Sequence, residues 1–168
     1  MTWLERSVCA TAFIVFVSIA ALAQRPNEVV TWKGSLPVPA ALRPGAKVTA
    51  KLEAKIQAGW HVYSISQPPG GPTPTVISVP EGQPFRLAGP VAGPVPHSVY
   101  DPNFQMQTEY YVDSATFRVP LRVAAGAASG PGKAMIDVIF QTCNDRICLP
   151  PATVHVPLSY RVLAPAGR

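Results

Sequence analysis

Lys47-Val48-Thr49-Ala50-Lys51-Leu52-Glu53-Ala54-Lys55-Ile56 is the stretch that decides the fold class. Val48, Ala50, Leu52, Ala54 and Ile56 alternate with Lys47, Thr49, Lys51, Glu53 and Lys55. Successive side chains of a strand point to opposite faces, so this spacing gives one apolar face and one solvated face. Downstream, Gly59 starts a second run, Trp60-His61-Val62-Tyr63, and Thr75 to Val79 is a short third one. Pro80 to Phe104 is rich in proline and glycine and reads as loops with brief strands. Phe117, Val119, Leu121 and Val123 alternate again, and Gly126 to Gly132 is a small-residue turn region. Ala134 to Phe140 is a strand with Ile136, Val138 and Phe140 on one face; Val154, Val156, Leu158 and Tyr160 mark the last one. Several short strands joined by turns imply an all-β domain of two packed sheets. Pro120 and Pro157 lack the N–H that a ladder needs, so they are expected at edges or bulges.

The rest of the composition agrees. Twenty prolines and twelve glycines in 168 residues argue against helices, and that length suits one domain. The exception is the start, MTWLERSVCATAFIVFVSIAALAQ. Arg6 precedes an apolar run, and Ala21-Leu22-Ala23 is a small-x-small cleavage site. Residues 1–23 therefore read as a secretory signal peptide, leaving a domain of residues 24–168. No later stretch is long and apolar enough to span a membrane. Signal removal takes away Glu5 and Arg6, so the net charge stays at +5. The basic residues are scattered singly, with no aromatic platform, which argues against a nucleic-acid partner. Without an evident dimer element, a monomer is the expected state.

Cys9 leaves with the signal, and Cys143 and Cys148 remain. They sit in Phe140-Gln-Thr-Cys-Asn-Asp-Arg-Ile-Cys-Leu-Pro-Pro151, where Asn144-Asp145-Arg146-Ile147 connects one cysteine to the other. Asn and Asp favour turns because their side chains bond to nearby backbone. The two thiols can therefore face each other across the mouth of a hairpin. The spacing leaves three uses open: a passive hairpin disulfide, thiol–disulfide exchange, or metal binding. A loop this short stabilises by only about 2 kcal/mol, so a purely structural purpose is weakly motivated. Two cysteines do not complete a four-ligand zinc site, and His61, His97 and His155 lack ligand spacing. Each reads as an ordinary surface or partly buried histidine, with His155 pointing outward. Arg146 favours a thiolate by its charge, and Asp145 opposes it.

Two segments carry a family resemblance. One is Gly59-Trp-His-Val-Tyr-Ser64 with Gln67-Pro-Pro-Gly-Gly-Pro72; the other is the cysteine segment itself. The chain resembles, from about Glu28 to Tyr160, the amino-terminal periplasmic domain of the thiol:disulfide interchange protein DsbD, a family also labelled "disulfide bond corrector". The resemblance implies an immunoglobulin-like β-sandwich with its redox pair near one end. It implies that Cys143 and Cys148 are the redox cysteines, although their connection is shorter than in the family's enteric member. It further implies a cap loop at Asp101-Pro102-Asn103-Phe104, with Phe104 shielding the disulfide, and Tyr63 as an aromatic near the cysteines. Trp60 is expected to pack in the core or rim.

By the same resemblance the chain is a periplasmic, protein-disulfide reductase-type exchange domain. It would pass reducing equivalents to thiol-redox clients such as a disulfide isomerase or a cytochrome c maturation thiol protein. No organic cofactor is required, because the sulfurs carry the electrons. The chain ends at Arg168 without membrane helices or a thioredoxin-like domain. A separate membrane thiol reductase of the CcdA or DsbD type is therefore the expected electron donor. The competing reading is a non-enzymatic binding or adaptor sandwich with a structural disulfide.

Overall fold

The computed structural model describes residues 24–37, 41–102 and 104–164. The expected signal, residues 1–23, and Asn103 of the expected cap lie outside the described residues. One helical turn, α1 (Pro26–Val29), leads into β1 (Val30–Ser35), β2 (Ala41–Leu42) and β3 (Lys47–Ile56). There follow β4 (His61–Tyr63), β5 (Val76–Ser78), β6 (Phe85–Leu87), β7 (His97–Asp101) and β8 (Met106–Val112). The chain continues through β9 (Ser114–Val123), β10 (Gly130–Phe140), β11 (Thr142–Cys143) and β12 (Ala152–Val162). These strands make three four-stranded sheets, ordered β1-β3-β9-β6, β2-β12-β10-β5 and β11-β4-β8-β7. The arrangement is an all-β, sandwich-like one, consistent with an immunoglobulin-like fold.

The first two sheets enclose the core. From one come Leu52, Phe117 and Val119; from the other come Ile136, Val138, Phe140 and Leu158, all essentially inaccessible to solvent. Trp32 joins the layers, its ring 5.9 Å from Phe117 and 5.5 Å from Phe140. Each such side chain contributes about 1.5–3 kcal/mol by leaving water. The alternation in β3 appears as expected: Ala50, Leu52, Ala54 and Ile56 are buried, while Lys51 and Lys55 between them are exposed and Glu53 partly so.

Two strands escape the alternation rule. In β1 the inward positions are Val30, Trp32 and Gly34. Gly34 is needed there, because a Cβ on it would lie 2.7 Å from Leu158 Cδ2. In β8 the buried residues are Thr108 and Tyr111, polar side chains that a count of aliphatics passes over.

The expectation for Pro120 needs correction. It lies in β9, an interior strand between β3 and β6, opposite Thr49. Its carbonyl accepts from Ala88 N–H at 2.8 Å, so its nitrogen also faces the β6 side, just where β6 ends at Leu87. The missing donor thus falls in a gap of the ladder, and no bond to β3 is lost. Pro157, opposite Met135, lies on β12 outside the short stretch that β2 covers.

The third sheet is assembled from continuations of the other two. β8 passes into β9 through Asp113, which has φ of 58°. β3 reaches β4 through a turn closed by Trp60 N–H donating to Gln57 O at 3.0 Å. β10 runs on through Gln141 into β11. The chain's longest strands therefore deliver His61, Tyr63 and Cys143 to one end of the sandwich.

Candidate functional site

Cys143 ends β11, paired in register with His61 of β4. The connection then folds back tightly. The Asn144 side-chain oxygen accepts from the N–H groups of Arg146 and Ile147, both at 2.9 Å, and Asn144 N–H donates to Ile147 O at 2.9 Å. Leu149 N–H donates to Thr142 O at 2.9 Å, closing the hairpin below. Cys143 and Cys148 are joined by a disulfide, with Cα atoms 4.0 Å apart.

The two sulfurs live in different surroundings. Cys143 is 2% exposed, whereas Cys148 is exposed beside Ile147, which is itself 50% exposed. Tyr63, also buried, donates its hydroxyl to Cys143 Sγ at 3.3 Å. Burial, helped by the nearby Asp101 carboxylate, pushes the Tyr63 phenol up to about 12, so it stays a donor at physiological pH. A shallow cleft of about 310 Å³ surrounds the bond, with His61, Asp101, Phe104, Asp145 and Arg146 on its walls. Phe104 comes from the β7–β8 turn and meets Tyr63 edge-on at 6.4 Å. The sequence candidates Cys143, Cys148, Tyr63 and Phe104 are thus brought together.

His61 is the residue that sequence reasoning left out of the site. It is half-buried, edge-on to Tyr63 at 5.2 Å and tilted over Tyr110 at 4.6 Å. Burial lowers its pKa, against the pull of Asp101 and Asp145, so the ring is neutral at pH 7. The signal was present: His61 and Tyr63 are two apart on a strand and must share a face. His97 stacks on the far side of Tyr110, and His155 lies outward on β12 against Asp137, away from the cysteines. Trp60 is buried in the core. Among the described residues no group of three or more His, Cys, Asp or Glu could hold a metal ion.

Polar side chains brace the site from below. Thr142 donates to His61 O at 2.7 Å, and Gln141 Oε1 accepts from Thr73 N–H at 2.8 Å. Gln67 Oε1 accepts from Glu109 N–H at 2.6 Å, and the Ser64 and Tyr111 hydroxyls pair at 3.0 Å. The Gly70-Gly71 step has a use here. Gly70 has φ of 92°, and a Cβ on Gly71 would lie 2.5 Å from Met106 Sδ, beside the β7–β8 turn.

The family described as "Thiol:disulfide interchange protein DsbD, N-terminal" matches residues 33–159. The DsbD N-terminal domain of Neisseria meningitidis, solved in its reduced form, superposes with a TM-score of 0.52 at 17% identity, covering 82% of this chain and 90% of that one. The N-terminal periplasmic domain of ScsB from Proteus mirabilis superposes with a TM-score of 0.56 at 16% identity, covering 82% of this chain. This chain spans about half of that ScsB domain, 49% of its length. At such identities the likeness shows the fold. No curated protein matches the chain.

Proposed function

The chain belongs to the family of the DsbD N-terminal domain, and from that premise we propose that it is a periplasmic protein-disulfide reductase-type domain working through Cys143 and Cys148. The observation that carries this reading is the inequality of the two sulfurs. An exchange pair needs one sulfur that a partner can reach and one that resolves the mixed disulfide from within. Cys148 is exposed and Cys143 is buried under the Tyr63 hydroxyl. In the reducing direction, the Cys148 thiolate attacks a client disulfide and one client sulfur leaves with the electron pair. Cys143 then attacks Cys148 Sγ, the second client sulfur leaves, and the domain is left oxidised. A hydrogen bond from Tyr63 steadies negative charge on Cys143 whenever that sulfur is a thiolate.

The clients are periplasmic thiol-redox proteins, a disulfide isomerase or a cytochrome c maturation thiol protein among them. Reducing equivalents come from a membrane thiol reductase of the CcdA or DsbD type. Export follows cleavage after Ala23, and the mass of the secreted protein checks that site. Phe104 acts as the cap, limiting small-thiol access until a partner displaces it. Phe104→Ala should speed reduction of the bond by glutathione, about tenfold for each ~1.4 kcal/mol of shielding removed, with little change in thermal stability. An unchanged glutathione rate would remove Phe104 from this role.

The deciding experiment is the redox equilibrium of the domain in thiol buffers, read by alkylation and mass. A reversible two-thiol transition at roughly −230 to −120 mV is expected. A bond still oxidised below about −300 mV marks a structural disulfide, and would transfer the chain to the binding or adaptor reading. The order of attack has its own check. Cys143→Ser should trap client mixed disulfides through Cys148, and Cys148→Ser should trap few.

A further inference from the structure

We propose that His61 is the proton acceptor for Cys143 in the resolving step. The inference rests on the exchange reading and assigns a residue that reading does not need. Cys143 and His61 are register partners on adjacent antiparallel strands. Such partners carry their Cβ atoms about 4.5–5.5 Å apart on the same face. Both line the cleft around the disulfide.

The chemistry calls for such a group. Cys143 is 2% exposed, so water has little access to its thiol. To resolve a mixed disulfide it must lose a proton inside that shelter. Tyr63 holds its own proton and serves only as a donor. The groups facing His61 come from four directions: Tyr63 on its own strand, Tyr110 on β8, Asp101 at the end of β7, and Asp145 beyond β11. Arg146 also lies on the cleft wall, and His97 sits behind Tyr110. Taking up a thiol proton at pH 7 needs a neutral base within reach of the sulfur. His61 is neutral at that pH, so a ring nitrogen is free to accept one, and the two carboxylates then stabilise the imidazolium.

Resolution starts from the mixed disulfide between Cys148 and the client. The Cys143 S–H proton passes to His61 as Cys143 Sγ attacks Cys148 Sγ. The Cys143–Cys148 bond forms and the bond from Cys148 to the client sulfur breaks. That sulfur leaves with the electron pair as a thiolate, and His61 returns its proton to solvent or to the leaving sulfur. Over both steps the domain loses two electrons and the client disulfide gains two.

The test uses the reduced domain and the chromogenic disulfide dithiobis(nitrobenzoate). Cys148 attack releases a first nitrothiolate, and resolution by Cys143 releases a second. For His61→Gln the first release should stay within about twofold of wild type, showing that the fold and Cys148 access survive. The second should slow by about 10²-fold at pH 7, the scale of a lost general base. The wild-type inflection in its pH profile should vanish. Added imidazole should restore the second release in His61→Ala, which a merely structural loss would not allow. A variant that resolves at the wild-type rate with an unaltered pH profile overturns the role of His61. Absence of any second release in the wild type would instead sink the exchange reading itself.

Discussion

The ladder of β3 and β9 and the small sheet around β4 and β11 are built on opposite principles. In the ladder, nine successive residue pairs run from Lys47↔Arg122 to Lys55↔Ser114, and every inward side chain is apolar. In the small sheet, β11 and β4 share two pairs, and the buried side chains in it and in the connection after β4 include Tyr63, Ser64, Gln67, Thr108 and Thr142. Apolar contacts are non-directional and tolerate small shifts, so they supply stability. Hydrogen bonds depend on distance and angle, so a satisfied buried network sets where a sulfur, a hydroxyl and an imidazole stand. One region keeps the domain folded, and the other aims its chemistry.

Substitutions should separate the two. The largest stability loss is expected from Phe117→Ala in the ladder. This side chain is fully buried against Trp32 and Tyr111, and its loss should remove about 3–5 kcal/mol. Urea denaturation would read that loss, while disulfide exchange at low temperature should keep its rate in the folded fraction. A parallel fall in exchange rate would show that the regions are not separable.

Thr142→Val should be milder in stability and stronger in chemistry. It keeps the shape but removes the side-chain donor to His61 O, for about 0.5–1.5 kcal/mol. Because Thr142 adjoins Cys143 and holds the His61 backbone, exchange should slow more than for Phe117→Ala at matched folded fraction. Equal slowing would argue that bracing and core packing do the same work.

The smallest effect should be in pH dependence. The lowered pKa of His61 means that the fold holds its proton less tightly than the unfolded chain does. Its contribution to stability is therefore whole above the ordinary value of 6.5 and is lost as pH falls from there toward the lowered folded value. Denaturant midpoints between about pH 7.5 and 5 should fall less steeply in His61→Phe than in wild type. An identical slope would mean that His61 titrates alike in both states.

Where strands carry aliphatic alternation, they were legible directly. β3, β9, β10 and β12 announce themselves because one face is apolar and the other solvated, and a period of two survives in the residue order. β8 was not legible, since its two buried residues, Thr108 and Tyr111, stand three apart on opposite faces and carry hydroxyls that find partners only after folding. β1 hid for a related reason, since Gly34 takes an inward position only because Leu158 and Val156 come too close to leave room for a Cβ. Pro120 reads as an edge residue because a lone sequence cannot say where a neighbouring strand stops.

At the site the division is similar. Residue order by itself determined that two cysteines lie within one tight connection, since chain length limits how far apart they stand. It also set His61 and Tyr63 on one face of a short strand. Only the tertiary structure decided that β4 lies beside β11, which makes His61 a neighbour of Cys143 across 82 residues of sequence. Only it decided that Cys143 is sheltered and Cys148 open. Local spacing follows from covalent geometry, whereas exposure and cross-strand company follow from which apolar faces find each other when the sheets close.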